Sequence, residues 1–392
     1  MTAAAPYFAV TAPGLSGLAA EELRRLGLAV ESGAGDGQDW VQPGEDSGGG
    51  VAFTGDLTAL YRANLHLRTA SRVLVRLGRF YAADFATLRR KAASLAWEGY
   101  LVPGQPVALH VTCHKSRLYH SGAVAERVMA AIGDRLGRPA PPAEAGQTGD
   151  ALPPQMVVVR LVHDHCTISA DSSGALLHRR GYRLATAKAP LRETLAAAML
   201  LASGWDAASP LLDPFCGSGT IAIEAALLAR GIPPGLRRPF AFMRWPGFDP
   251  AAWEALLEAA RAQISGECPP IQASDRDAGA IAIAQANAER AGVLENIAFS
   301  QRALSAVAPP PGPGWVVTNP PYGLRVSAGK DLRNLYAQLG NVLRARCPGW
   351  RVAILCNDYK LLGQTGLRLD TSFATVNGGV SVRLGRGSVA AG

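Results

Sequence analysis

The sequence predicts an α/β protein: a doubly wound, mainly parallel sheet in the C-terminal half, preceded by a smaller α+β module. Three observations carry that reading. From about Ser172 onward, strand-like and helix-like runs alternate, as they do where crossover helices link parallel strands. Upstream, strands and helices are mixed without that alternation. A glycine-rich turn joins the first strand of the alternating half to its first helix. At 392 residues the chain is long enough for two or three domains, and the expected divisions are 1–53, 54–171 and 172–392.

In the first division, residues 7–11 read as a strand. Residues 14–26 show helical spacing through Leu15, Leu18, Leu23 and Leu26, stopped by Gly27. The Gly/Asp/Ser-rich tract 33–50 reads as a mobile loop. In the second division, Asp56 is placed to cap a helix over 57–67, and strands follow at 73–77 and 107–112. Residues 121–136 form an amphipathic helix with Val124, Val128, Ile132 and Leu136 on one face. A Pro/Ala/Gly linker covers 139–154, and 155–162 with 167–170 read as a hairpin. The third division alternates: strand 211–213, helix 220–229, strand 270–275, helix 278–291, strand 315–318, helix 331–345, strand 351–355. Residues 245–264 read as an insertion carrying its own helix. No internal repeat is present.

Composition narrows the function classes. With 48% hydrophobic and 18% charged residues, the chain fits a soluble globular protein. No apolar run reaches the length of a membrane span, and residues 1–13 lack the basic start of a secretory leader, so a cytoplasmic protein is expected. The six cysteines (Cys113, Cys166, Cys216, Cys268, Cys347, Cys356) form no CxxC pair. They read as reduced thiols, with no disulfide framework and no metal site. His163 and His165 share a strand region but lack a carboxylate or cysteine cluster to complete a site.

The formal net charge is +8, and the only lysines are Lys91, Lys115, Lys188, Lys330 and Lys360. Between residues 60 and 138 there are 13 Lys/Arg against 4 Asp/Glu, a local excess of 13 − 4 = +9. That concentration upstream of the motifs suits a module that grips a phosphate backbone.

The chemistry is concentrated in two stretches. The first is Asp213-Pro214-Phe215-Cys216-Gly217-Ser218-Gly219-Thr220. Gly217 and Gly219 let the backbone turn tightly and approach a ligand, and the free amides of the following helix face the same place. The next strand ends at Asp275-Arg276, where an acid can bind a ribose diol. There is neither GxxxxGK[ST] nor GxGxxG, so a nucleoside without phosphates fits better than a nucleotide triphosphate or dinucleotide. The second stretch is Asn319-Pro320-Pro321-Tyr322. An exocyclic amine on a base is a poor nucleophile because its lone pair is delocalised into the ring. The Asn319 side-chain oxygen and the Pro320 carbonyl can draw its protons out of the ring plane. The prolines stiffen the loop, and Tyr322 offers a flat face for a flipped base. Together the two stretches specify methyl transfer to a base nitrogen.

On these residues the C-terminal half resembles a class I S-adenosylmethionine-dependent methyltransferase with the NPPY amino-methyltransferase signature. The upstream half resembles a ferredoxin-like region followed by a THUMP module, through residues 50–57, 67–73 and 113–127. The resemblance covers nearly the whole chain and points to the bacterial 23S rRNA guanine-N2 methyltransferase family, with the THUMP-containing tRNA guanine-N2 methyltransferases as cousins. It implies a donor pocket formed by Asp213, Phe215, Cys216, Gly217, Ser218, Gly219 and Thr220, with Asp275 on the donor ribose, Arg276 beside it, and Asn319 at the pocket's edge. It adds 178–183 and 190–193, with Arg192, to the approach. Asn319, Pro320 and Tyr322 would hold the guanine amine as the catalytic set. Such enzymes often carry an acid after the strand near 297–299. Here the stretch is Phe299-Ser300-Gln301-Arg302-Ala303, so Gln301 or backbone amides would have to serve the adenine.

RNA capture is expected from Lys115, Arg117, His120 and Arg127. Three function classes follow. The first is an RNA guanine-N2 methyltransferase acting on rRNA or tRNA. The second is a DNA adenine-N6 methyltransferase, since the same loop serves both amines. The third is a non-catalytic RNA-binding assembly factor, which the intact Asp213, Gly217, Gly219, Asp275 and Asn319 disfavour. The sequence carries no readable signal for oligomeric state.

Overall fold

The computed structural model describes residues 4–31, 49–141, 154–183, 191–322 and 332–391. The tract 33–48 and most of the 139–154 linker lie outside these residues, as do Pro190 and Asp331 of the expected approach segment and helix.

The N-terminal body contains β1 (Ala5–Thr11), α1 (Ser16–Arg25), β2 (Ala29–Val30), β3 (Gly50–Gly55), α2 (Leu57–His66), β4 (Ala70–Tyr81), α3 (Phe85–Ala93), β5 (Val107–His114), α4 (Ser121–Leu136), β6 (Gln155–Val162) and β7 (His165–Asp171). Its strands form one sheet in the order β2-β3-β1-β4-β7-β6-β5. All neighbours are antiparallel except β5 and β6. The twelve-residue β4 holds the sheet together, pairing β1 through its first half and β7 through its second. Asp56 caps α2 as expected, accepting from the Ala59 amide at 2.9 Å. Gly137, at φ +68, closes α4 in the left-handed conformation that glycine tolerates.

The expected division at 53/54 falls inside β3, a single strand paired along its length with β1. The division at 171/172 falls where the chain is still fastened to the first sheet. The Ser172 amide donates to the Val73 carbonyl at 3.0 Å, and the Leu177 amide to the Ser71 carbonyl at 2.8 Å.

The C-terminal body contains α5 (Glu193–Ser203), β8 (Leu211–Asp213), α6 (Thr220–Ala229), α7 (Pro250–Ala262), β9 (Ile271–Asp275), α8 (Ala278–Ala291), β10 (Ile297–Gln301), β11 (Trp315–Thr318), α9 (Arg333–Arg346), β12 (Arg351–Cys356), α10 (Tyr359–Gln364), β13 (Leu369–Asn377) and β14 (Val380–Ser388). The sheet order is β10-β9-β8-β11-β12-β14-β13. The first five strands are parallel, and β14 runs antiparallel to both neighbours. Each face is covered: α5, α6 and α8 pack one side, α9 and α10 the other. The expected doubly wound, mainly parallel sheet is therefore present. The chain leaves β8 toward β9 on one side and toward β11 on the other, so a crevice opens at the carboxyl end of β8. Among the described residues no helix is long and apolar enough to cross a membrane.

The insertion at 245–264 does carry a helix, α7, but that helix completes the other body. Trp253 and Leu257 of α7, with Phe240, Phe242 and Trp245, join Tyr7, Phe53, Leu60 and Tyr61 in one core. Tyr61 stacks on Phe242 at 4.6 Å between ring centres and meets Trp253 edge-on at 5.8 Å. The Asp249 amide donates to the Tyr61 hydroxyl at 2.9 Å, and the Trp245 indole N–H to Gln155 at 2.9 Å. A charged seam closes the join. Arg180 reaches the Arg68 carbonyl at 2.7 Å and Glu224 of α6 at 3.4 Å, while Arg68 donates to the Ile232 carbonyl at 2.7 Å.

Candidate active site

Asp213 is the last residue of β8, and its side chain is buried beneath the glycine turn. One carboxylate oxygen accepts from the Thr318 hydroxyl at 2.7 Å and the Phe215 amide at 3.2 Å. The other oxygen is buried without a partner. Burial pushes the Asp213 pKa up to about 7, and the nearby Asp275 charge adds to this; the two hydrogen bonds pull the other way.

The turn that follows is stitched to its surroundings by backbone. The Cys216 amide donates to the Ser274 carbonyl at 3.0 Å, and the Gly217 amide to Asp275 at 3.1 Å. Gly217 sits at φ +49, and a Cβ there would meet nothing within 4 Å, so the backbone lies open to a ligand. Gly219, at φ +81, answers a packing need instead: a Cβ there would lie 3.0 Å from that of Ala284 on α8. Ser218 is held through its carbonyl by Asn287 at 3.1 Å. Phe215 is half-buried against the α9 face. The Cys216 side chain packs into the core and its sulfur also reaches the Gly217 carbonyl at 3.9 Å.

Asp275 is half-exposed at the end of β9 and uses one oxygen on Gly217 and the other on the Asp277 amide at 3.1 Å. Each oxygen keeps lone-pair capacity for a diol. Arg276 and Gln301 are exposed, and the Gln301 amide donates to the Arg276 carbonyl at 3.3 Å. Gln301 is therefore beside Asp275, in the stretch where an acid was expected.

Arg192 is exposed at the start of α5, whereas the neighbouring Glu193 is buried and paired with Arg183 at 3.3 Å. Arg183 also donates to the Thr220 hydroxyl at 2.6 Å, fixing the first turn of α6. His178 is pushed down to about 4, first by burial and then by Arg192 and three further arginines. It stays neutral near pH 7, and the positive charge of this wall resides on arginines.

Asn319 follows β11 at the same edge. Its side-chain oxygen is buried and has no partner, the state expected of an acceptor whose donor arrives with a substrate. Pro320 is buried. The Pro321 carbonyl accepts from the Tyr336 hydroxyl at 3.4 Å, and the half-buried Tyr322 hydroxyl accepts from Asn377 at 2.9 Å. Asp213, Gly217, Asp275 and Asn319 thus converge on one crevice. Thr318, Tyr336 and Asn377 support it without having been singled out in the sequence. Thr318 carried a weak signal as the last strand residue before the loop. Asn377 carried one in its Asn-Gly-Gly turn.

The four expected RNA contacts fall elsewhere, on and before α4. Lys115 is exposed at φ +44. Arg117 is exposed but lies 3.7 Å from Asp164. His120 caps α4 by accepting from the Ala123 amide at 3.2 Å, so one ring nitrogen already has a structural duty. The Arg127 guanidinium lies over the Phe85 ring at 5.7 Å.

The crevice fits a nucleoside donor with a cationic tail. An unpartnered buried carboxylate oxygen is matched by open glycine backbone and, in Asp275, an acid with lone pairs to spare for a diol, and no phosphate-binding lysine is present in the turn. Fold and site together define an S-adenosylmethionine-dependent methyltransferase of the class I architecture. Residues 180–384 match the RMKL-like methyltransferase domain, and residues 40–74 match the RlmL ferredoxin-like domain. The chain belongs to the RMKL-like methyltransferase family.

The chain is 37% identical over 385 residues to the candidate RNA methyltransferase slr0064 of Synechocystis sp., covering 97% of this chain and 95% of that one. It is 35% identical over 401 residues to the ribosomal RNA large subunit methyltransferase K/L of Syntrophotalea carbinolica, covering 98% of this chain and 53% of that one. It therefore spans about half the length of the K/L relatives. The crystal structure of SMU.472, a methyltransferase candidate complexed with SAH, superposes with a TM-score of 0.85 at 29% identity, over 100% of this chain and 99% of that one.

Proposed function

We propose that this protein transfers a methyl group from S-adenosylmethionine to the exocyclic N2 amine of a guanine in RNA, with 23S rRNA as the substrate class. The observation that carries the reading is the buried, unpartnered Asn319 oxygen beside the donor crevice. When bound, S-adenosylmethionine supplies a methyl group already activated by its sulfonium. Asp213 and Asp275 would hold the donor's polar ends, and the backbone at Gly217 would lie against it. Asn319 and the Pro320 carbonyl accept hydrogen bonds from the two amine N–H groups, which draws the nitrogen lone pair out of conjugation with the ring. That lone pair forms the new C–N bond as the donor's C–S bond breaks. The surplus proton leaves along one of the two hydrogen bonds toward solvent. No strong general base is required, and positioning supplies most of the acceleration.

The name of the K/L relatives supports rRNA over tRNA. The names of the relatives support RNA over duplex DNA, and the basic N-terminal body supports a polyanionic partner, with Lys115, Arg117 and Arg127 as backbone contacts that give affinity more than sequence choice. The reading implies work beside RNA in the cytoplasm. Labelled S-adenosylmethionine offered to fractionated total RNA and to DNA, followed by nucleoside analysis, tests it. N2-methylguanosine in the large-subunit rRNA fraction is the expected result. Label confined to N6-methyladenine in DNA would overturn the substrate.

A further inference from the structure

We infer that Asn377 is a positioning residue for the base site, acting through Tyr322; this rests on the proposed base methylation. Asn377 ends β13 and precedes the Gly378-Gly379 turn, whose φ values of +57 and +83 give a tight reversal that only glycine makes without strain. β14 pairs with β12 up to Cys356↔Arg383, so residues 380–382 and the turn continue past the carboxyl end of β12. The hairpin tip therefore stands over the edge of the sheet that carries Asn319, although the hairpin belongs to the far, antiparallel side of the sheet. From there the Asn377 amide donates to the Tyr322 hydroxyl at 2.9 Å.

Among the described residues, two hydrogen bonds hold the NPPY loop. Tyr336 donates to the Pro321 carbonyl at 3.4 Å and also contacts the Cys356 sulfur at 3.3 Å, which ties the loop backbone to β12. Asn377 holds the other end, the phenol oxygen, the side-chain atom farthest from the backbone. That oxygen lies on the Cβ–Cγ axis, so the contact fixes the direction in which the ring projects from the loop, which χ1 sets. A base stacked on the ring takes its position from that direction. Its amine then meets Asn319 at a place set by Asn377. Asn377 touches neither base nor donor in this scheme, and its loss should appear in the rate of the chemical step.

The test is a double-mutant cycle with Asn377→Ala and Tyr322→Phe, assayed on RNA at saturating donor. Each single change is expected to lower kcat about five- to tenfold, with the pair no worse than the poorer single, because both remove one contact. The donor KM should stay unchanged. Asn377→Asp keeps a hydrogen-bond partner of the same size and should restore kcat to within about twofold of wild type. Losses that multiply in the double variant, or an Asn377→Asp enzyme as poor as Asn377→Ala, would overturn the role. A readout free of turnover is the fluorescence quench of 2-aminopurine riboside, which carries the guanine amine. The quench should weaken in Asn377→Ala and return in Asn377→Asp, and an unchanged quench would overturn the role. Wild-type protein that methylates no nucleic acid would overturn the proposed function, while the quench still decides the case of Asn377.

Discussion

The Thr318 hydroxyl donates to the Asp213 carboxylate across 2.7 Å, so the last residue of β11 fixes the acid that ends β8. Those two strands flank the crevice where the sheet order reverses, and the bond aligns Asp213 with the loop that begins one residue later. That bond holds the raised Asp213 pKa down, so Thr318→Val should raise it further and weaken donor binding near neutral pH by up to about tenfold. Calorimetric titration with S-adenosylhomocysteine near neutral pH checks this. Unchanged affinity would mean that Asp213 is held without Thr318.

The raised pKa of Asp213 gives donor binding a pH dependence with a definite sign. The carboxylate is the form that attracts a cationic tail, so affinity should rise as the pH climbs through about 7 and then level off. Binding below that point should take a proton off the protein. For stability the sign is opposite. The folded pKa lies above the ordinary 3.8, so this group's contribution is fully present below about pH 4 and is lost as the pH rises through about 7. Donor titrations in buffers of different ionisation heat measure the proton release, and Asp213→Asn should abolish it.

Asn319→Ala should remove the chemistry while sparing capture. Losing one preorganised partner of the reacting group typically costs about 10²–10³ in kcat. Single-turnover methylation should fall by that order, while RNA affinity by filter binding and donor affinity by calorimetry stay near wild type. A parallel loss of RNA binding would show that the loop also grips the strand.

The seam between the bodies should be costly to break on one side only. Arg180 and Glu224 are both buried side chains, and Tyr182 also donates to Glu224, at 3.1 Å. Removing one partner of such a pair costs about 3–5 kcal/mol, since the other charge is left buried alone. Glu224→Ala should therefore lower the urea midpoint sharply. Replacing Arg180 and Glu224 together by Met and Leu should recover only part of the loss, because Arg68 loses the Glu224 carboxylate and the Arg68 and Leu177 carbonyls lose their donor.

A fragment lacking residues 1–170 should fail as a free-standing methyltransferase. A division at 171/172 alone would leave the C-terminal body free to bind donor by itself. The shared core argues otherwise: Phe240, Phe242, Trp245, Trp253 and Leu257 would lose their cover. Exposed apolar patches of that kind drive association. Size-exclusion chromatography should find aggregate, and a monomeric fragment with full donor affinity would contradict the shared core.

The legible parts of this protein are those whose cause is local. The span of α4, the Asp56 cap, the β6–β7 hairpin and the span of α6 follow from periodicity and capping. The donor turn and NPPY loop were legible because their chemistry sits in contiguous residues. What escaped depends on distant pairing. α7 looked like an ornament of the C-terminal half because nothing in its spacing says that Trp253 meets Tyr61. Thr318 and Asn377 matter only through the partners the sheet brings to them, 105 and 55 residues away. The strand β3 was cut at residue 53 because a composition change after a glycine tract resembles a boundary, and only its register with β1 shows one strand.

The dependence of the first core on α7 also sets an order of events during synthesis. A chain emerging from the ribosome has made all seven strands of the first sheet by residue 171. It has not yet made Phe240, Phe242 or Trp253. The first sheet must wait, with one face incompletely covered, while about ninety more residues are translated to the end of α7, several seconds at bacterial elongation rates of roughly 20 residues per second. The nascent first half is therefore a natural client for a chaperone, and the N-terminal body becomes complete only in a chain already committed to making the C-terminal one.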